Sequence, residues 1–286
     1  MGLHAVKIQE INITNSSKKD ILKEVEKYLD STDKSISKPF TIVTPNPEQI
    51  VLATKDLHFA QLLNRADVSL PDGIGLRFAR PMEISETIPG VEFMENLVAI
   101  AADRHVSIAL IGGKSNVAIK TLECLRQKYP NLSGVAMDAP EFTFGPSGLA
   151  MNGSIAEYFK ELVQEMKMKK IGMVFVALGA PKQEYFMERL TLSLRGTSQR
   201  VTRQSMQIAS PSERTRNDKG LILMSVGGSF DEISGRISRA PRWVSRLGMK
   251  WLWRLILEPW RIKRQIALVR FVWMVFLEKL SSCRRI

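Results

Sequence analysis

The sequence predicts an α/β fold in which a Rossmann-like parallel sheet is flanked by helices and followed by a C-terminal basic amphipathic helical appendage. Short apolar runs alternate with helical patterns along the chain. The runs are continuously apolar, which is typical of strands covered on both faces. Near Gly235 the composition changes to Arg, Trp and Leu. We therefore assign residues 1–234 to an α/β body and residues 235–286 to a helical tail.

The predicted strands and helices follow one another in regular order. The runs expected to form strands are Phe40–Thr44, Val106–Ile111, Met173–Leu178 and Leu221–Val226. Helical patterns occur at Glu48–Arg65, Gly90–Arg104, Ser115–Tyr129 and Ser154–Lys169. This alternation favours parallel pairing through right-handed crossovers. The polar stretch Thr191–Lys219 has no clear periodicity, and we expect part of it to be a surface loop.

Charge and tryptophan are concentrated in the tail. The chain has a net charge of +12, and from Gly235 onward there are 13 basic and two acidic residues, so that the tail carries +11 and the body +1. All five tryptophans also lie in the tail. Such segregation indicates an anionic surface acting on one part of the molecule, and Trp beside Arg is typical of interfacial helices. A helical mini-core packed on the body is the alternative.

Other features of the sequence favour a cytoplasmic protein held at the inner face of the membrane. Met1–Asp20 lacks the apolar segment of a signal peptide, and no run is long enough for a spanning helix. The two cysteines, Cys124 and Cys283, are far apart and predict neither a disulfide framework nor a metal site.

Polar side chains and glycines follow three of the predicted strands, and a fourth string of this kind lies between helical patterns. The strings are T-P-N-P-E at 44–48, L-P-D-G-I-G at 70–75, G-A-P-K-Q-E at 179–184 and G-G-S-F-D at 227–231. Open α/β sheets bind ligands past the carboxyl ends of their strands. The chain lacks a G-x-G-x-x-G fingerprint, which disfavours a dinucleotide-dependent oxidoreductase. It also lacks the D-x-D string with which many nucleotide-sugar transferases hold a divalent cation.

These strings, in this order, resemble the WecG/TagA/CpsF glycosyltransferases (glycosyltransferase family 26). The resemblance covers roughly Thr41 to Arg264 and includes Ile111-Gly112-Gly113 and the tail from Arg239-Ala240-Pro241 to Glu258-Pro259. It implies inverting transfer of an amino sugar, N-acetylmannosamine by default, from a UDP donor to an undecaprenyl-diphosphate-linked saccharide. It implies no required metal, and we expect no cofactor.

Asp72 is the candidate general base. An inverting transfer needs a carboxylate that takes the proton of the attacking hydroxyl. From the residues alone, an aspartate that bonds the backbone of its own turn is an equal alternative. The resemblance assigns the matching aspartate the role of base. Gly73 and Gly75 would then allow close backbone approach to a sugar or phosphate.

Four polar residues are candidates for substrate binding. Thr44 and Asn46 could bind a sugar, although Asn46 before Pro47 also suits an N-cap. Gln183 follows a strand at a helix start favourable to phosphate, and the resemblance places the glutamine in the active site. Glu184 could bind substrate or only complement the helix dipole.

Glycine pairs and basic residues could hold a diphosphate. Gly112, Gly113, Gly227 and Gly228 could cradle it, or could simply permit close packing. Asp231 could bind the donor nucleoside, with helix capping as the stronger alternative. The arginines available to neutralise the leaving UDP are Arg239, Arg242, Arg246, Arg254, Arg261 and Arg264. We expect one or two to close over the site, Arg239 first because it begins the tail, and the others to contact anionic lipid.

The sequence therefore predicts a metal-independent UDP-sugar transferase whose partners are a UDP-sugar, a polyprenyl-diphosphate-linked acceptor and an anionic membrane surface. A homo-oligomer is compatible with this prediction. A different UDP-sugar donor, uronic acid or hexose, is the alternative within the family. Outside it, the alternative is a non-catalytic basic protein that binds a membrane or nucleic acid. Five tryptophans among Leu and Ile suit lipid better than nucleic acid, so we expect no nucleic-acid partner.

Overall fold

A computed structural model describes residues 3–31, 38–80, 83–84, 86–113, 116–145, 148–149, 153–205, 220–241, 243–244 and 248–283. Its strands are β1 (Ala5–Ile8), β2 (Ile11–Thr14), β3 (Phe40–Val43), β4 (Val68–Ser69), β5 (Ser107–Gly112), β6 (Gly134–Met137), β7 (Phe144–Gly145), β8 (Gly148–Leu149), β9 (Ile171–Ala177) and β10 (Ile222–Ser225). Its body helices are α1 (Lys18–Asp30), α2 (Pro47–Ala53), α3 (Leu57–Arg65), α4 (Ile74–Ala79), α5 (Gly90–Asp103), α6 (Val117–Lys128), α7 (Gly153–Met168), α8 (Lys182–Ser205) and α9 (Ser229–Ile233). The tail contains α10 (Lys250–Leu257), a 3-10 turn at Pro259–Arg261 and α11 (Ile262–Cys283).

Six strands form one parallel sheet, in the order β4-β3-β10-β9-β5-β6. The predicted α/β class and its parallel sheet are thus confirmed. Alternate residues of a central strand enter different core clusters: Ile108 and Leu110 pack with α5 and α6, whereas Ala109 and Ile111 pack with α7 and α8. Both faces of the sheet are therefore covered, which explains why the strands read as continuously apolar runs.

The predicted helices formed with two differences. The helix expected over Glu48–Arg65 is two helices, because Asp56 caps α3 by accepting a hydrogen bond from the Phe59 amide at 3.0 Å. The stretch Thr191–Lys219, part of which was expected to form a surface loop, begins as a continuation of α8, which ends at Ser205. Residues 206–219 lie outside the described part of the chain.

The tail packs on the body through α11. Phe271 is fully buried and joins a cluster that includes Ile50 of α2, Leu76 of α4 and Tyr185 of α8. Glu278 of α11 forms an ion pair with Arg80 and accepts a hydrogen bond from Gln9 Nε2 at 2.8 Å. The tail is thus helical on both sides of Pro259, and one face of α11 belongs to the core of the body.

The opposite face of α11 is exposed and apolar. Its exposed large side chains are Ile262, Ile266, Val269, Val272, Trp273, Phe276 and Leu277. Within the residues that the structure describes, no helix has both the length and the apolar character needed to cross a bilayer.

Candidate active site

The site residues predicted within the body lie at one edge of the sheet. Because the six strands are parallel, the segments that follow β3, β4, β5, β9 and β10 all leave the sheet at its carboxyl edge. Each of these segments carries residues singled out from the sequence. The tail adds α10 to the same edge, since a Cβ on Gly228, just after β10, would lie 2.7 Å from Arg254 Nη2.

Asp72 is held by a rigid turn after β4. Its amide donates to the Pro45 carbonyl at 3.1 Å, and the Ile88 amide donates to the Pro71 carbonyl at 2.9 Å. Gly73 has φ +99°, a conformation that favours glycine. These bonds connect the turn to the segments on either side and fix the backbone from which the Asp72 carboxyl projects.

The N-terminus of α5 closely approaches the Asp72 carboxyl. A Cβ on Gly90, the first residue of α5, would lie 3.7 Å from Asp72 Oδ2 and 3.0 Å from Thr44 Cγ2. The second of these separations is tighter than ordinary van der Waals contact. A glycine therefore lets the positive end of the α5 dipole come near the carboxylate, where it favours the ionised form.

The Asp72 carboxyl combines burial with nearby cations. It retains some contact with solvent, yet burial raises its pKa to about 6. Lys250 lowers this pKa, Glu232 raises it, and the Gly90 amide and Arg254 lower it. The net result is a carboxylate that is ionised at neutral pH but more basic than an ordinary aspartate. General bases work best in that range.

Thr44 and Asn46 follow β3 and both use their side-chain oxygens internally. Thr44 is buried, and its hydroxyl donates to the Ser225 carbonyl at 3.4 Å. Asn46 Oδ1 accepts from the Gln49 amide at 3.0 Å, which makes Asn46 the N-cap of α2. Capping occupies only the oxygen of Asn46, so its side-chain nitrogen can still serve a ligand.

Gln183 links two of the site loops from within. Its side chain is fully buried; Nε2 donates to Glu184 Oε1 at 2.8 Å, and Oε1 accepts from the Gly227 amide at 3.0 Å. The amide thus connects the start of α8 to the turn after β10. The internal partners take up both ends of this amide, a role that the sequence did not reveal.

Glu184 is a buried acid at the same place. Burial raises its pKa to about 7, while the Gln183 amide, its own backbone amide and the Ser225 hydroxyl lower it. Glu184 Oε2 and Ser225 Oγ are buried without a hydrogen bond of good geometry to any described residue. Glu184 is therefore partly protonated near neutral pH.

The glycines at the edge serve different purposes. A Cβ on Gly112 (φ +93°) would lie 2.7 Å from Leu178 Cδ2, and one on Gly113 (φ +85°) 3.3 Å from Val117 Cβ. A Cβ on Gly75 would lie 2.6 Å from Pro47 Cγ. These three glycines permit close packing, which was the alternative left open for the 112–113 pair. Gly228 differs, because what it admits is the guanidinium of Arg254.

Among the tail arginines that the structure describes, Arg254 is the one whose guanidinium lies against Gly228, just after β10. Its Nη1 lies 3.5 Å from Glu232 Oε1, and its Nε lies 3.8 Å from Glu258 Oε2. Arg239 instead forms an ion pair with Glu95 of α5. Arg242 and Arg246 lie outside the described residues.

Three further findings complete the comparison with the sequence. Asp231 pairs with Arg236 Nη1 at 3.4 Å. Lys250, Glu232 and Gly90 surround Asp72 but were not singled out; the spacing of Lys250 four residues before Arg254 was a usable signal. Among the described residues, no group of three or more His, Cys, Asp and Glu side chains has an arrangement that could hold a metal ion.

Known proteins resemble the chain along nearly its whole length. The family model described as "Glycosyl transferase WecG/TagA/CpsF family" matches residues 6–200 and 201–285. A curated relative from Bacillus subtilis (strain 168) is 28% identical over 283 residues, which covers 95% of this chain and 91% of the relative. That relative is named N-acetylglucosaminyldiphosphoundecaprenol N-acetyl-beta-D-mannosaminyltransferase.

The raised pKa of Asp72 makes a prediction about stability. The pKa of Asp72 is about 6 in the folded protein and 3.8 in the unfolded chain. Between these two pH values the native state binds more protons than the unfolded state. The free energy of unfolding therefore falls as pH rises through that window. We expect Asp72→Asn to raise the free energy of unfolding by about 1 to 2 kcal/mol at pH 7.5, since the remaining solvent contact reduces the full effect. The gain should disappear near pH 4.

Thermal and urea unfolding at both pH values would measure this effect. Asp231→Asn is the matched control, because Asp231 lies at the same edge but is paired with Arg236, and it should give no gain. An Asp72→Asn protein that is equally stable or less stable than the parent at pH 7.5 would contradict the assignment of a destabilising ionised carboxylate.

Proposed function

The chain belongs to the WecG/TagA/CpsF family of glycosyltransferases, and from this premise we propose that it moves an N-acetylmannosamine-type sugar from a UDP donor to a polyprenyl-diphosphate-linked saccharide with inversion. The observation that carries the proposal is the position of Asp72, a basic but ionised carboxylate at the sheet edge that faces Lys250 and Arg254 of the tail. The name of the B. subtilis relative supports the choice of donor sugar and of a diphosphoundecaprenol acceptor.

Asp72 acts as the general base. Its carboxylate accepts the proton of the acceptor hydroxyl while that oxygen forms a bond to the anomeric carbon of the donor. The bond between the anomeric carbon and the diphosphate oxygen breaks, and UDP leaves with the electron pair. A pKa of about 6 suits this step, because the group is ionised at neutral pH and still basic enough to take a proton.

Arg254 stabilises the leaving diphosphate. Its guanidinium lies against Gly228, in the turn after β10, and Glu232 and Glu258 hold it from two sides. A guanidinium presents paired donors that match phosphate oxygens, and such charge-assisted bonds are strong. The backbone of Gly227 and Gly228 borders the same space. Arg239, Arg242 and Arg246 remain candidates for a second contact.

The remaining polar groups shape the pocket. The Asn46 side-chain nitrogen and the backbone at Gly73 border the turn that carries Asp72, and we assign them to the sugar. Gln183 links the segments after β9 and β10 through its bond with the Gly227 amide, and Glu184 holds the other end of the Gln183 side chain. Asp231 and the glycines at 112–113 complete the edge on the nucleoside side. These roles follow from location alone.

The tail also docks the protein on the anionic inner surface of the cell membrane. The exposed apolar face of α11 contains Trp273 and Phe276, and the tail carries a net charge of +11. Each Lys or Arg near an anionic leaflet contributes about 1 kcal/mol. Docking would let the enzyme reach the diphosphate of an acceptor whose lipid stays in the bilayer.

The reaction itself provides the first test. Purified protein is incubated with a panel of UDP-sugars and a lipid-diphosphate acceptor carrying N-acetylglucosamine, in buffer containing EDTA. We expect UDP-N-acetylmannosamine to be the preferred donor. Asp72→Asn should lower turnover by roughly 10²- to 10⁴-fold, because general-base catalysis is worth about that much. Asp103→Asn, on the exposed C-terminal end of α5, is the matched control and should keep the parent rate.

The outcomes of this assay separate the parts of the proposal. Preference for a UDP-hexose or UDP-uronic acid would replace the donor and leave the reaction class intact. Full turnover by a folded Asp72→Asn protein would remove Asp72 as the base. Activity that EDTA abolishes and Mg²⁺ or Mn²⁺ restores would contradict metal independence.

Docking gives a second test. Trp273 and Phe276 are exposed neighbours whose ring centroids lie 6.1 Å apart. Replacing both with Ala should weaken sedimentation with anionic liposomes on the order of tenfold or more, because two aromatic side chains no longer enter the interface. Met168→Ala is the control, since Met168 is 76% exposed on α7, outside the tail. Equal binding by the double variant and the parent would show that this face does not dock.

A further inference from the structure

Lys250 connects the tail to the helix that approaches the candidate base. It is the first residue of α10, and its Nζ lies 2.8 Å from Glu92 Oε1 in the first turn of α5. Glu92 is two residues from Gly90, the glycine through which α5 comes near the Asp72 carboxyl. The ion pair thus joins α10 to the part of α5 that faces Asp72.

Lys250 and Arg254 lie on the same face of α10, one helical turn apart. Arg254 reaches Gly228 at the end of β10, while Lys250 reaches the start of α5. Packing at the preceding turn supports this placement, because a Cβ on Gly248 would lie 2.9 Å from Ile74 Cγ1 of α4. One helix face therefore presents two cations on the side of Asp72.

The two cations are not equivalent. Two carboxylates, Glu232 and Glu258, share the Arg254 guanidinium, and its proposed role is to meet the diphosphate. Glu92, the partner of Lys250, is half-exposed, so solvent screens it. The charged groups that face Asp72 are Lys250 and Arg254 from α10 and Glu232 from α9, together with the Gly90 amide from α5. Among the cations, Lys250 has the larger effect on Asp72.

The ion pair between Lys250 and Glu92 contributes little to the stability of the fold. Lys250 and Glu92 are 35% and 48% exposed, and exposed pairs of this kind contribute little to stability. The charge of Lys250 affects Asp72 more than it affects folding, because Asp72 lies in a less solvated environment where charges interact more strongly.

We propose that Lys250 is a positioning residue that supplies the positive charge that keeps the Asp72 carboxylate available as a base. This inference rests on the proposed role of Asp72 in the transfer. Lys250 touches no reacting atom in this account and acts only through Asp72.

The test measures the Asp72 carboxyl directly and the reaction separately. The side-chain carboxyl carbons of Asp are labelled with ¹³C, the Asp72 signal is identified by its loss in Asp72→Asn, and its titration is followed in the full chain. The pH profile of kcat/KM is recorded for the same proteins. The variants are Lys250→Met, Lys250→Arg, Glu92→Gln and Lys128→Met. Circular dichroism checks that each variant is folded.

Each variant has a defined purpose. Lys250→Met removes the charge, Lys250→Arg keeps it, and Glu92→Gln breaks the same ion pair without removing the cation. Lys128→Met is the matched control, because Lys128 Nζ lies 3.7 Å from Glu95 of the same helix and is not among the groups that act on Asp72.

The proposal expects Lys250→Met to move the Asp72 titration and the acid limb of kcat/KM to higher pH. Below pH 6 the variant should then lose activity on the order of three- to tenfold relative to the parent. Lys250→Arg should restore both readouts, and neither Glu92→Gln nor Lys128→Met should move them upward. A folded Lys250→Met protein with an unchanged Asp72 titration overturns the proposal, as do equal upward shifts in Lys250→Met and Glu92→Gln. If the Asp72 titration shifts in Lys250→Met while the acid limb of kcat/KM stays unchanged, Lys250 acts on the Asp72 carboxyl but Asp72 is not the base, and the proposal is overturned.

Discussion

The parallel pairing of the six strands in the central sheet is the constraint on which the rest of the structure depends. Since every strand points the same way, the turns after β3, β4, β9 and β10 meet at one edge, although Thr44 and Ser225, which bond there, are 181 residues apart. The Thr44 hydroxyl donates to the Ser225 carbonyl, and the Gly227 amide donates to the side-chain oxygen of Gln183. Once these strand ends are fixed, the backbone that carries Asp72 is held at the same edge.

The tail is part of this arrangement. Phe271 belongs to the same apolar cluster as side chains of α2, α4 and α8. Three carboxylates of the body, Glu92, Glu95 and Glu232, pair with tail cations near the sheet edge. The tail therefore has two chemically distinct functions in our account. Its inner side contributes Lys250 and Arg254 to the site, and its outer side offers an apolar and basic surface to a membrane.

Much of the fold could be predicted from the sequence, because it depends on local patterns. The four long strands read as continuous apolar runs since both faces of the sheet are covered, and Asn46-Pro47 indicated the start of α2. Two elements could not be read in this way. The break between α2 and α3 depends on a single capping aspartate within a continuous helical pattern, and α8 extends through a polar segment with few apolar positions.

The site was less predictable, because contacts between distant segments decide it. The strings gave the positions of Asp72 and Gln183, but not that Gln183 uses both ends of its amide internally. Position along the chain favoured Arg239, whereas helix packing brings Arg254 to Gly228 and leaves Arg239 with Glu95. Lys250 lay outside every string that was singled out, and its spacing from Arg254 was the one local signal, since its effect on Asp72 arises only when the start of α10 lies against α5.

The central claim is that the carboxyl edge of the sheet in the body and α10 of the tail together form one diphosphate-binding site. Isothermal titration of UDP into the full chain tests this claim most directly, with Arg254→Ala compared with the parent and with Arg270→Ala on the exposed surface of α11. Loss of a charge-assisted contact to phosphate should weaken UDP binding by about tenfold or more in Arg254→Ala, with Arg270→Ala unchanged. Equal UDP affinity in Arg254→Ala and the parent would contradict the account.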